Sequence, residues 1–386
     1  MLCNKTMLES GVGRIRMMSR WRSLGCGVLV AANAGCAAFR GEEGDQLSFD
    51  RVEVVVGVTT SAILAFDLDN DGRLDLIVTG GERVFVLHGR GDGQFDVSLS
   101  VAAGEHPVDL AVADLDGDGL RDLAVANHGT NYVTLLFGTL GGGFEPRDHS
   151  QFRVDVSPHP HAVRLQDIDA DGHADLFVDD RTPESIRLFR GVGDGTFSES
   201  TTIEVGGDPY RGMTLTDLNG DGRLDLVTPN PDHISVLIGD GSGGFAQDVV
   251  LRPGFNPFSV AAADLNGDGF ADLAAASGEG EGSLAIWLGT AEGPFRAAGQ
   301  YEIAIGPTKI ATVDLTGDGR AEVLVASYIG SEVAVLTGGD SPVLYRLEVE
   351  GSPYGFATGD FDADGRMDFA MANDATEHIT VFLSRY

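Results

Sequence analysis

Apolar residues in this chain alternate with polar ones in short runs, and the runs come in sets. Residues 108–113 (Val-Asp-Leu-Ala-Val-Ala) form one run, and residues 123–126 form the next, closed by the polar turn Asn127-His128-Gly129. A third run spans 132–137, and a Gly-rich turn ending at Phe144 leads to a fourth, more polar stretch and a Gly/Pro corner. Period-two runs bounded by Gly, Asn and Pro predict short antiparallel strands and not helices. The set recurs seven times, and four strands per repeat of about 50 residues is the pattern of a propeller blade. The expected fold class is therefore all-β, a seven-bladed β-propeller of four-stranded antiparallel blades. The last repeat stops after its third run, at 379–383, whereas residues 47–57 match the fourth-strand texture of 94–101. Pairing the two ends completes the seventh blade and removes an open sheet edge. An open solenoid would need capping repeats instead.

Each repeat carries the same acidic loop between its first two runs. The oxygen-bearing positions are Asp67, Asp69, Asp71 and Asp75, then Asp114, Asp116, Asp118 and Asp122, then Asp167, Asp169, Asp171 and Asp175. They continue as Asp217, Asn219, Asp221 and Asp225, then Asp264, Asn266, Asp268 and Asp272. The last two sets are Asp314, Thr316, Asp318 and Glu322, and Asp360, Asp362, Asp364 and Asp368. The first aspartates lie 47, 53, 50, 47, 50 and 46 residues apart, and position 6 of every loop is Gly. Oxygens at positions 1, 3, 5 and 9 of a tight loop suit Ca²⁺, which takes six to eight hard ligands in flexible geometry. Position 7 would offer only its carbonyl, and its side chain varies from Arg73 to Leu120 to Phe270. An EF-hand opens in the same way but needs Glu at position 12 and flanking helices. Here position 12 holds Val78, Val125, Val178, Thr228, Ala275, Val325 and Met371, inside strand patterns. Up to seven Ca²⁺ ions are expected, with the sixth loop the weakest because Thr316 replaces an acid or amide.

Charge sharpens this picture. The chain has 386 residues and a formal charge of −33. Residues 1–35 hold five basic groups and one acid, leaving 21 basic against 58 acidic groups, or −37, for the rest. Such a body repels nucleic acid and anionic membranes, which need Lys/Arg patches, and attracts cations. Seven Ca²⁺ would bring −37 to −23. All three cysteines, Cys3, Cys26 and Cys36, precede the repeats, so no disulfide staples them.

Residues 1–35 read as an export signal, with a basic segment at 19–22, an apolar stretch at 24–34 and small residues before Cys36. Residues 1–16 fit neither signal nor fold and read as an over-called start. The Ala34-Gly35-Cys36 end is similar to a bacterial lipobox, although Asn33 stands where Leu is usual. Lipidation at Cys36, ordinary cleavage after Ala32-Asn33-Ala34 and an incidental apolar end all remain open. The resulting division is signal 1–35, linker 36–45 and propeller 46–386, in a cell-envelope lipoprotein or a secreted protein. The membrane is reached only through an anchor at Cys36.

The loops, with turns such as Gly91-Asp92-Gly93-Gln94-Phe95 and Gly193-Asp194-Gly195-Thr196-Phe197, resemble FG-GAP repeats. Those repeats occur in the integrin α-chain β-propeller and in bacterial VCBS-type surface proteins. The resemblance covers about residues 46–386. It implies that the loop aspartates ligate calcium, and it leaves the ligand of the protein open.

The corners between blades and the turns between second and third strands should form the rim opposite the metal loops. Their residues differ from copy to copy, which suits recognition. The partner-facing candidates are His128, His159, His161, Tyr210, Arg211, Tyr328 and Tyr354, with His106, His233, Phe258 and Lys309 at comparable positions. Aromatic rings there suit sugar stacking or protein hot spots, or else simply cover the sheet ends. His159-Pro160-His161 is a weak transition-metal signal, lacking a third placed ligand. No nucleophile elbow, P-loop or dinucleotide fingerprint is present, and the chain reads as a binding protein and not an enzyme. Protein–protein adhesion or scaffolding is the leading expectation. A lectin or polysaccharide-binding propeller is the second, and a carbohydrate-active enzyme is the third.

Overall fold

The second strand of every blade is buried from end to end: Asp75–Gly80, Asp122–Asn127, Asp175–Asp180, Asp225–Asn230, Asp272–Ser277, Glu322–Ser327 and Asp368–Asn373. Successive side chains of a strand point to opposite faces, and a strand covered on both faces must be apolar in both directions. In the first blade Leu76 and Val78 enter the cluster shared with blade seven, while Ile77 enters the cluster shared with blade two. Seven such hydrophobic clusters exist among the described residues, one between each pair of neighbouring blades. The core is thus a ring of blade interfaces.

The computed structural model describes residues 35–38, 47–148, 151–153, 160–182, 184–209, 212–253, 256–278, 281–290, 295–339 and 341–385, all within one unit, Ala32–Tyr386. Each blade is an antiparallel meander. Blade one runs Ile63–Phe66, Asp75–Gly80, Arg83–Gly89 and Phe95–Ala102, and the other blades repeat that order. The outer edge of blade two is split into Gly143–Glu145 and Gln151–Arg153, both paired with Tyr132–Thr139. The fold is the seven-bladed β-propeller expected from the repeat.

Closure follows the expected route. Ser48–Val55 pairs antiparallel with the last strand, His378–Ser384, from Phe49 opposite Ser384 to Val55 opposite His378. A fifth strand, Gly35–Ala38, pairs in turn with Ser48–Val55. It overlaps the stretch assigned to the signal end and linker, where the sequence pattern shows no alternation. Residues 1–34 of the expected export signal and the linker beyond residue 38 lie outside the described residues.

Candidate functional site

The acidic loops join the first and second strands of each blade and are built from their own carboxylates. In loop one, Asp67 accepts from the backbone N–H of Asp71 at 3.1 Å and of Gly72 at 2.9 Å. The first aspartates of the other loops make the same contact to the glycine at position 6. That glycine has φ between 81° and 91° in all seven copies. A Cβ there would meet nothing within 4 Å, so the requirement is the left-handed backbone and not space.

The ninth position plays a part that sequence spacing did not reveal. Asp122 is fully buried, and its two oxygens accept from Leu115 N–H at 2.7 Å and from Gly138 N–H at 2.7 Å. Leu115 is loop position 2, and Gly138 lies in the third strand, so the carboxylate staples the loop to the blade. Asp75, Asp175, Asp225, Asp272 and Asp368 do the same. Glu322 accepts from Leu315 N–H at 2.6 Å. The third-strand partner is Gly in five of the six stapled blades because the chains approach closely: a Cβ on Gly138 would lie 2.5 Å from the Arg121 carbonyl oxygen.

Burial, helped by the loop acids around it, pushes the Asp122 carboxyl up to about 6. The same causes push Glu322 and Asp368 up to about 7. Burial also raises Asp175, Asp225 and Asp272. Crowded carboxylates in a partly dry loop resist ionisation unless a cation is near. In four loops three carboxylate oxygens converge to within 4.8 Å of one another: Asp67/Asp69/Asp71, Asp114/Asp116/Asp122, Asp167/Asp169/Asp175 and Asp360/Asp362/Asp368. Asp169 Oδ1 and Asp362 Oδ1 are shielded from solvent and have no hydrogen-bond partner. Hard oxygens, convergence and these two orphaned atoms fit a calcium-type ion.

Arginines also reach the loops, which spacing could not predict. Arg190 sits 3.1 Å from Asp169 and 3.0 Å from Asp175. Arg385 contacts Asp362 at 2.7 Å and Asp364 at 3.2 Å, and Arg147 pairs with Asp116. These three come from a third strand, the C-terminal segment and a region just past an outer strand, so only folding brings them in. The position-7 arginines stay within their own loops: Arg320 contacts Asp318 at 2.7 Å, and Arg73 pairs with Asp71.

At the blade corners the candidates divide. The His106 and His128 rings stack at 6.4 Å, and the His128 ring meets His161 edge-on at 4.7 Å. His161 is buried, with Nδ1 3.4 Å from Asp179. Tyr328 donates its hydroxyl to Asp374 at 3.1 Å and packs edge-on against Tyr354 at 6.2 Å. His233 is buried among Asn230, Asp232 and Ser235 and holds a turn. His159, Tyr210 and Arg211 lie outside the described residues, as does the side chain of Cys36.

The first strands line a central channel, and several residues assigned to the rim face it. A cavity of about 370 Å³ is bordered by His161, Phe258, Lys309 and Tyr354. A second, of about 190 Å³, shares Arg164 and Lys309 with the first. Asp109 binds Arg164 at 2.7 Å and lies 3.5 Å from Lys309, which belongs to blade six. Burial alone would raise the Asp109 carboxyl, but these two cations and the Val163 N–H outweigh it and hold it below the ordinary range.

Fold and loops together define a β-propeller whose blades each open on an acid-rich loop. The chain belongs to the FG-GAP-like repeat family, whose pattern matches residues 67–125, 114–178, 167–228 and 217–275, more than half of the chain. It is 27% identical over 251 residues to cartilage acidic protein 1 of Homo sapiens, covering 60% of this chain and 35% of that protein. The Mus musculus protein of the same name is 27% identical over 195 residues, 45% of this chain and 30% of that one. The chain thus spans about a third of the length of these relatives. Among solved structures, an Agrocybe aegerita lectin that recognises non-reducing terminal N-acetylglucosamine superposes with a TM-score of 0.55 at 20% identity, covering 89% of this chain and 96% of that one. A protein from Lactobacillus plantarum superposes with a TM-score of 0.57 at 15% identity, covering 91% and 100%. At such identities the likeness is one of fold.

Proposed function

We propose that this chain is a calcium-stabilised propeller of the cell exterior that works by presenting a binding surface to a protein partner. The carrying observation is the contrast around the ring. Seven near-identical acidic loops repeat between first and second strands, while the corner residues differ in every blade. Repeated oxygens suit a repeated ion, and a varied surface suits one partner. The loop acids named above would hold Ca²⁺, which would add positive charge where ionisation is costly. Export follows from the N-terminal pattern, with Cys36 the residue to carry lipid. Palmitate labelling of the full-length chain and of Cys36→Ala tests that point.

A second reading, recognition of a sugar, is favoured by the paired corner rings and by the fold shared with the Agrocybe aegerita lectin. Binding of the purified protein to a glycan array, in calcium and in EDTA, separates the two. Calcium-dependent capture of defined sugars would replace the adhesion reading. A folded sample that binds none of them, yet cross-links to a protein on intact cells, would support it.

A further inference from the structure

We infer that the central channel binds a small monocarboxylate, with Lys309 and Arg164 taking the carboxylate and the aromatic mouth taking the body of the ligand. The inference does not depend on which partner the rim takes. Its first support is charge. The chain is strongly acidic, yet Asp109 is the one acid among the described residues lining either channel cavity, against Arg164 and Lys309. Lys309 is the sole lysine after residue 5. Its side chain and that of Arg164 keep about a third of their surface open, at 32% and 29%. One lysine and one arginine facing one carboxylate leave a net charge of +1, which matches a monoanion better than a dianion in so acidic a molecule.

The second support is shape. A cavity of about 370 Å³ falls in the size class of small-molecule sites, which pair apolar walls with a few polar groups. Here Phe258 and Tyr354 supply rings, while the cations are shared with the second cavity. A guanidinium presents a planar fork that suits a carboxylate, and an ammonium adds charge without fixed geometry. Arg164 donates to Asp109 and to the Val163 carbonyl through Nη1.

Calorimetric titration of the intact protein in fixed calcium tests this, with glucuronate as probe and glucose as its uncharged counterpart. Glucuronate should bind saturably and glucose should not. Lys309→Gln should weaken glucuronate about tenfold or more, since a charge-assisted contact is lost, and Lys309→Arg should restore most of the affinity. The Gln variant keeps the Arg164–Asp109 pair, and circular dichroism checks its fold. Carboxylates also bind free or loop-held calcium, but that component would be the same in all three proteins. Absent binding to the unaltered protein, equal binding of glucose, or no change in Lys309→Gln would overturn the inference.

Discussion

The ring of Phe49, near the start of the described chain, meets the ring of Phe369, near its end, edge-on at 5.3 Å. Phe49 also faces Phe382 at 6.2 Å, and none of its surface is exposed. The strand that closes the ring is therefore anchored by an aromatic cluster as well as by its ladder. Phe49→Ala should cost about 3–5 kcal/mol, as large-to-small changes in a packed aromatic core do. Urea unfolding measures it, and a loss below about 1 kcal/mol would mean that closure contributes little to stability.

Calcium should raise the melting temperature, and EDTA should lower it. A site with ion at a hundredfold excess over its dissociation constant contributes roughly 2.7 kcal/mol. Extracellular calcium modules are often weaker, at about 10⁻⁴ to 10⁻³ M, so millimolar calcium is the condition to use. Melting curves that coincide in calcium and EDTA would exclude the loops as stabilising ion sites.

Without metal, stability should fall as pH rises from about 5 to about 7.5. Asp122, pushed up to about 6, and Glu322 and Asp368, pushed up to about 7, bind protons more tightly folded than unfolded. Their contribution is full below the ordinary carboxylate range near pH 4 and is lost as pH rises through 6 to 7. Groups held low, such as Asp109, titrate below this window. Calcium should flatten or reverse the trend, because ligands must be ionised to bind it. A urea midpoint in EDTA that climbs from pH 5 to pH 7.5 would contradict the assignment.

The fifth and ninth loop positions should respond differently to the same change. Asp122→Asn leaves one buried backbone N–H facing an amide donor, so it should cost about 1–3 kcal/mol even in EDTA. Asp118 is exposed, and Asp118→Asn should change metal-free stability by no more than about 0.5 kcal/mol. It should instead reduce the increase in melting temperature on adding calcium. Equal effects in EDTA would remove the distinction between staple and ligand.

Much of this protein was legible before folding. Alternation, the seven spaced loops and the incomplete last repeat together pointed to four-stranded blades and a closing strand. Period is written locally, and an unpaired edge needs a partner, even when that partner lies at the other end of the chain, as Phe49 does for Ser384. The loop turns were equally plain, since Gly at position 6 is demanded by one backbone angle. What the tertiary structure alone decided is which side chains meet, within a blade and across the ring. Arg190 and Arg385 reach acidic loops, Asp122 spends both oxygens on backbone donors, and Lys309 crosses to Asp109 from another blade. The arginine and Asp122 contacts lie within single blades and depend on how strand register and side-chain direction bring the loop against its own sheet. The Lys309–Asp109 contact, in contrast, joins two blades 200 residues apart and exists only once the ring has packed.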